Sequence, residues 1–344
     1  MATKTKLSKA VLAILMACAL AAMAALAACS SPQASSSSSS SSQVMSASDT
    51  TQSTAAAKKA SGVYNLLVLG NDKWEQTTPG HPDLICIMRV DLDNHKITQL
   101  TVPRDTRVTG ADGNPNKLMV EMTGKPYDEQ VKLVEGVTGM KIDYYAEIWF
   151  EGLETIVDGF GGVPMDLPYS CLYHFYTNDY PDEQFEAGEQ TLNGFQAMEI
   201  SRARTGYSAQ DLDGADMIRQ FVDRQMFRSL MQLAYTGGVD NAANIVTKYQ
   251  DLIKTNLSLE DQVAWIKKLG ETGSIQVVGT TGPFDGAIPD DADFWLVTPD
   301  PEGWSAIVDA VETGGDLQVA IDSYAYHEFN DKTPAVTETT IKVG

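Results

Sequence analysis

Positive charge is scarce in this chain. Lysine and arginine together number 25 against 46 aspartates and glutamates, a formal net charge of −21 over 344 residues. That balance excludes nucleic acid as a main partner, because a phosphate backbone needs a basic footprint. It also excludes flat docking on an anionic membrane surface. Cysteine and histidine are equally sparse, at four residues each. No CxxC pair occurs, and His81, His95, His174 and His327 lack metal-ligand spacing, which excludes a structural zinc site. Beyond the N-terminal segment only Cys86 and Cys171 remain. They are expected as two small buried thiols, Cys86 within the apolar run Leu84-Ile85-Cys86-Ile87-Met88; a disulfide is the alternative in an oxidising compartment. No internal repeat is present.

What the chain does have begins with a leader. Lys4, Lys6 and Lys9 precede an apolar run from Ala10 to Ala28, the layout of a secretory signal peptide. The run closes on Leu26-Ala27-Ala28-Cys29-Ser30, in the manner of a bacterial lipobox, so residues 1–28 are expected to be removed and Cys29 lipidated. An uncleaved transmembrane anchor is the alternative. Both put the rest of the chain outside the cytoplasm, at the outer face of the cytoplasmic membrane. Residues 29–60, with an unbroken serine run from Ser35 to Ser42, hold too little apolar surface to fold and are expected as a flexible tether. About thirty residues of such coil reach roughly 30 Å.

From Val63 onward the periodicity alternates between strand and helix. Strands are expected at 64–69, 84–90 and 96–102, the last two forming a hairpin about Asp93-Asn94, and at 144–149, 275–278 and 295–298. Helices are expected at 127–135 (closed by Gly136), 151–159, 192–203, 215–235, 242–254, 259–269 with Ser258 as N-cap, and 302–311. Strands mixed with helices predict an α/β fold, a three-layer α/β/α sandwich around a mixed central β-sheet. Its domain is expected at 61–312, with 313–344 as a terminal strand or tail. The apolar stripe of the 215–235 helix, with Phe221 and Leu230, reads first as core and second as the wall of a lipid tunnel. Val137 and Ile148 carry the same two readings.

All eight arginines fall in two windows, Arg89, Arg104 and Arg107, then Arg202, Arg204, Arg219, Arg224 and Arg228. Arginine offers a rigid fork of donors for carboxylate or phosphate oxygens, and two such windows predict one anion site assembled by folding. Arg104-Asp105 follows a strand, where α/β proteins commonly bind ligands. Arg202 and Arg204, two residues apart, diverge by about 160° on a helix, so the helix must unwind if both face one ligand. Asp72 ends one strand and Asp83 begins the next. Paired hard oxygen ligands of this kind suit Mg²⁺, while solvated loop aspartates are the plainer reading. Arg89 and Arg107 read as surface charges, and Arg224 and Arg228 as the polar face of a helix.

The order Gly70-Asn71-Asp72, Asp83, Thr101-Val102-Pro103-Arg104-Asp105-Thr106, Val157-Asp158-Gly159-Phe160-Gly161-Gly162-Val163, Gln190-Thr191-Leu192-Asn193-Gly194, Ser201-Arg202-Ala203-Arg204 and Arg219-Gln220 resembles the LytR-CpsA-Psr family. The resemblance implies an α/β/α fold that holds a polyprenyl lipid, with Mg²⁺ and arginines on its diphosphate. It also implies transfer of lipid-linked glycopolymers, of teichoic acid or capsule type, to peptidoglycan through a phosphodiester link. By position, Asp72 and Asp83 would ligate Mg²⁺, and Arg104, Arg202 and Arg204 would hold the diphosphate and serve catalysis. Asp105 would orient an arginine or a water, and Arg219 and Gln220 would add further diphosphate contacts. The implied partners are a polyprenyl-diphosphate glycolipid donor, a peptidoglycan acceptor and the membrane that holds the lipid anchor. Asp105 or Asp216 could take the proton of the acceptor hydroxyl.

The chain departs from the family's pattern at several positions. Lys73 and Trp74 stand where an arginine commonly follows the first aspartate, and His81-Pro82-Asp83-Leu84 replaces Arg-Ser-Asp-Thr. The family's Asp-x-x-Arg-x-x-Arg-Gln aligns either from Asp213 through Asp216 to Arg219-Gln220, or from Asp216 through Arg219 with Arg224 displaced. These changes keep two further readings open: a lipoprotein that binds polyprenyl phosphate or glycolipid without turnover, and a lipid-diphosphate hydrolase.

Overall fold

The computed structural model describes residues 60–344 apart from 75–76, 176–180, 209–214 and 325–329. The leader, Cys29 and residues 29–59 of the tether therefore lie outside the described residues, as do Asp213 and His327. Ala56–Gly344 forms one compact unit.

Seven strands make the central sheet: β1 (Val63–Asn71), β2 (Pro82–Asp91), β3 (Lys96–Thr101), β4 (Tyr144–Trp149), β5 (Ile253–Thr255), β6 (Ser274–Thr281) and β7 (Val336–Lys342). Their spatial order is β5-β4-β1-β2-β3-β6-β7. β1 runs parallel to β4, and β3 parallel to β6; the other neighbours are antiparallel. The sheet is thus mixed, as the alternating pattern predicts. The β2–β3 turn closes where the Asn94 N–H donates to Asp91 Oδ1 at 2.9 Å, and His95 takes a left-handed φ of 52°.

Nine helices are described: α1 (Leu118–Met122), α2 (Tyr127–Thr138), α3 (Phe150–Gly159), α4 (Gly194–Ile200), α5 (Ala215–Tyr235), α6 (Gly238–Tyr249), α7 (Leu259–Gly270), α8 (Pro301–Thr313) and α9 (Leu317–Asp322). Side chains alternate across a strand, so each sheet face gathers its own partners. Leu67, Leu69, Ile85, Ile87 and Leu100 pack against α1, α2, α8 and α9. Leu66, Val68, Cys86, Met88 and Val90 face α5, α6 and α7. A third core lies between α3, α4, one side of α5 and two short ribbons, Val163–Leu167 with Gly188–Leu192 and Cys171–Tyr173 with Glu183–Phe185.

Several boundaries differ from the sequence expectation for local reasons. Gly136 does not end α2, which runs on to Thr138; the stop is Gly139 at φ 74°, whose N–H donates to Glu135 O at 2.8 Å. α4 is shorter than 192–203 because Asn193 and Gln196 form a reciprocal capping box at its start. The helix expected over 242–254 ends at Tyr249. Ile253–Thr255 pairs instead with β4, where the Thr255 hydroxyl donates to Tyr145 O at 2.5 Å. Residues 313–344 hold α9 and β7, and β7 adds an edge strand to the central sheet. The boundary expected at 312 therefore falls inside the compact unit.

Candidate functional site

The antiparallel pairing of β1 and β2, with Gly70 opposite Leu84 and Asn71 opposite Pro82, brings Asp72 and Asp83 to one end of the sheet. β3 delivers Val102 to Asp105 to the same end, since Thr101 lies opposite Cys86. The fourth contributor arrives where α4 has unwound. Residues 201–204 have left the helix, and Arg202 turns inward with its guanidinium 4.8 Å from the centre of the Phe150 ring. These segments surround a polar pocket of about 260 Å³ lined by Asp72, His81, Asp83, Arg104, His174 and Arg202, with Met119 and Tyr173.

Within it Asp83 accepts from Arg104 Nη1, and its second oxygen lies 3.5 Å from Arg202 Nε. Asp72 Oδ1 accepts from the His81 N–H at 2.5 Å. Arg104 Nε is buried with no acceptor among the described residues. No group of three or more histidine, cysteine, aspartate or glutamate side chains fit to hold a metal occurs among the described residues. Asp72 and Asp83 both line this pocket, and carboxylates are the ligand type that Mg²⁺ commonly takes, one or two at a time, with water and phosphate oxygens completing its shell. Asp72 and Asp83 are the residues that could hold it.

The remaining expected site residues form a second network, away from this pocket. Asp105, 1% exposed, lies 3.1 Å from Lys117 Nζ and accepts from Arg204 Nη2 at 2.7 Å. Arg204 Nε lies 3.2 Å from Asp216, which accepts from Arg219 at 3.0 Å and Gln220 at 2.7 Å. Arg219 continues to Asp223 at 2.8 Å. Burial alone would raise the Asp216 pKa, but the Arg219 and Arg204 guanidiniums overcome it and hold the carboxyl below the usual range. Burial pushes Asp105 up, against the pull of Lys117. Arg204, Arg219 and Gln220 were expected on the diphosphate; here they pair with Asp105, Asp216 and Asp223. Asp216, standing where one alignment expects an arginine, supplies the charge that draws Arg204 inward. Asp105, expected to orient an arginine or a water, accepts from Arg204.

Lys73 is likewise turned inward, 2.7 Å from Glu147 in a buried pair that Asn71 and Tyr127 join. Sequence reading missed Lys117 and Glu147, and no spacing or composition distinguished either. Arg107 pairs with Asp291 at the surface, as expected for a solvated charge. Arg224 and Arg228 are not a polar helix face. Both are buried: Arg224 donates to the Thr101 and Thr281 hydroxyls at 3.1 and 2.7 Å, and Arg228 to Arg224 O and the Thr339 hydroxyl. Burial lowers their pKa to about 9 and about 10.

Beside the polar pocket lies an apolar cavity of about 450 Å³, between the β1–β4 face and helices α3, α5, α6 and α7. Leu66, Val68, Met88, Ala146, Leu230 and Trp265 give its character. Phe227, Leu230 and Ile148 thus line a chamber, while Phe221 and Val137 pack in cores. Asp83 and Arg202 line both spaces, so the chamber meets the polar pocket at these two side chains. Cys86 lies on its wall and Cys171 in the third core. Both are free thiols, pushed up to about 12 by burial.

An apolar chamber that meets an arginine–carboxylate pocket is thus built into an α/β/α fold. The chain matches the LytR_cpsA_psr family over residues 29–301 and belongs to that family. It is 25% identical over 206 residues to the polyisoprenyl-teichoic acid–peptidoglycan teichoic acid transferase TagV of Bacillus subtilis, covering 58% of this chain and 51% of that protein. It is 28% identical over 204 residues to the corresponding TagU of Halalkalibacterium halodurans, covering 58% of this chain and 63% of the relative. Both alignments span less than two thirds of the relative's length. The crystal structure of B. subtilis TagV superimposes with a TM-score of 0.59 at 20% identity, over 77% of this chain and 98% of that one, which establishes the shared fold.

Proposed function

We propose that this chain transfers a polyprenyl-diphosphate-linked glycopolymer, of teichoic acid or capsule type, to peptidoglycan through a phosphodiester bond. One observation carries the reading: the apolar chamber and the polar pocket share Asp83 and Arg202. A polyprenyl tail would lie in the chamber with its diphosphate on Arg104 and Arg202. Such transfer depends on positioning and charge neutralisation more than on covalent catalysis, so a paired-arginine pocket without a nucleophilic side chain is chemically sufficient. Asp72 and Asp83 would hold Mg²⁺, which when bound supplies Lewis-acid neutralisation of the phosphate oxygens. Lipidation of Cys29 would fix the domain at the outer face of the cytoplasmic membrane, with the serine-rich segment as its tether.

A second reading has its own support. Because Arg204 and Arg219 are bound by Asp105, Asp216 and Asp223, the pocket offers fewer anion donors than the family pattern implies. A protein that only holds the lipid would need no more. The test is incubation with a polyprenyl-diphosphate sugar and peptidoglycan, with Mg²⁺ or with chelator, for wild type, Arg104→Ala and Asp83→Ala. Metal-dependent transfer that falls about a hundredfold or more in both variants supports the transferase. Tight lipid binding with no product sinks it in favour of the binding protein, and release of free sugar phosphate without peptidoglycan marks a hydrolase.

A further inference from the structure

As an acceptor hydroxyl attacks phosphorus it must lose its proton, and Asp83, Asp105 and Asp216 are already committed. Asp105 is held between Lys117 and Arg204, and Asp216 accepts from Arg219 and Gln220 with Arg204 Nε 3.2 Å away. Asp83 is clasped by Arg104 and Arg202. His174 lines the same polar pocket, and its Nδ1 lies 2.9 Å from Asp182 Oδ1. The ribbon builds this contact. Cys171 pairs with Phe185, Leu172 with Gln184 and Tyr173 with Glu183, so His174 and Asp182 form the next opposed pair, where facing side chains meet. A carboxylate on Nδ1 selects the tautomer protonated there and leaves Nε2 as the basic atom. The two side chains are 61% and 56% exposed, within reach of a large acceptor glycan. An ion pair so exposed contributes little to stability, so the fold does not depend on it.

Resting on the transferase reading, we propose that His174 is the general base for the acceptor sugar hydroxyl, with Asp182 as its positioning residue. The hydroxyl oxygen forms a bond to the sugar-bearing phosphorus of the donor. The bond from that phosphorus to the bridging oxygen breaks, and its electron pair leaves on polyprenyl monophosphate. The hydroxyl proton passes to His174 Nε2 and from there to solvent. Asp182 contacts His174 across its ribbon, and the charged and titratable groups that line the pocket with it are Asp72, His81 and Asp83 on the β1–β2 side, and Arg104 and Arg202.

The test measures kcat and donor KM for the full chain in detergent, with a polyprenyl-diphosphate disaccharide and peptidoglycan fragments, across about pH 5 to 9. In His174→Gln, kcat is expected to fall about 10²- to 10³-fold, donor KM to stay constant, and the rising acidic limb of the pH profile to vanish. Asp182→Asn is expected to lower kcat by a smaller factor and keep that limb, and added imidazole to restore part of the rate to His174→Gly. A His174→Gln protein that keeps its kcat, keeps the acidic limb, or loses rate only through lost donor binding overturns the assignment. Wild type that binds donor and transfers nothing sinks the transferase reading itself, an outcome distinct from an active enzyme indifferent to His174.

Discussion

The two faces of the central sheet are made from the same strands and differ in what they hold. Leu67, Leu69, Ile85 and Ile87 are fully buried against one helical layer, while Leu66, Val68 and Leu84, their immediate neighbours in sequence, are half-buried against the chamber. Aliphatic alternation is equally good on both sides. What separates a solid face from a hollow one is how closely α5, α6 and α7 approach, and that is decided far away in sequence. A dry void of about 450 Å³ in an ordinary core would cost on the order of 10 kcal/mol, comparable with the whole stability of a domain.

The comparison can be broken by substitutions on each side. Leu69→Ala, on the solid face, is expected to lower unfolding free energy by about 2–5 kcal/mol, read by denaturant titration, with lipid affinity unchanged. Ala146→Trp, on the hollow face, should do the reverse. Displacing about four methylenes of a tail, at about 0.8 kcal/mol each, lowers polyprenyl-phosphate affinity roughly a hundredfold or more, with stability held within about 1 kcal/mol. Equal stability losses in both variants would mean the chamber wall is ordinary core.

The smallest expected effect lies in the third core, where Glu199 is 1% exposed and neither of its oxygens has a hydrogen-bond partner among the described residues. Burial, then the charges of Glu183 and Glu154, push its pKa up to about 7. A carboxyl raised on folding contributes stability below its unfolded pKa and loses that contribution as pH rises through about 7. Glu199→Gln is therefore expected to melt like wild type at pH 5 and a few degrees higher at pH 8. A melting difference independent of pH would refute the assignment.

Sequence made the periodic and capped parts legible. β1 to β4, α5 and α7 fall within a residue or two of expectation because their apolar spacing is long and regular, and Ser258 caps α7 by accepting from the Asp261 N–H at 3.1 Å. The ribbons between Val163 and Leu192 escaped notice because three- to five-residue strands of mixed polarity give no periodicity to count. In the site, the meeting of Asp72, Asp83, Arg104 and Arg202 followed from strand ends and antiparallel pairing. The withdrawal of Arg204, Arg219 and Gln220 did not. It depends on Asp216 and Asp223 sitting one helical turn apart from their partners, and on which way the loop after α4 turns. Lys117 was invisible for the same reason: its partner Asp105 is brought to it only by the tertiary fold.

Asp83 and Arg202 stand at the border where oily surroundings give way to charged ones. A molecule with one greasy end and one ionic end has a single way to lie across that border. Under the proposed function, that border sets the heading of the lipid before any bond changes.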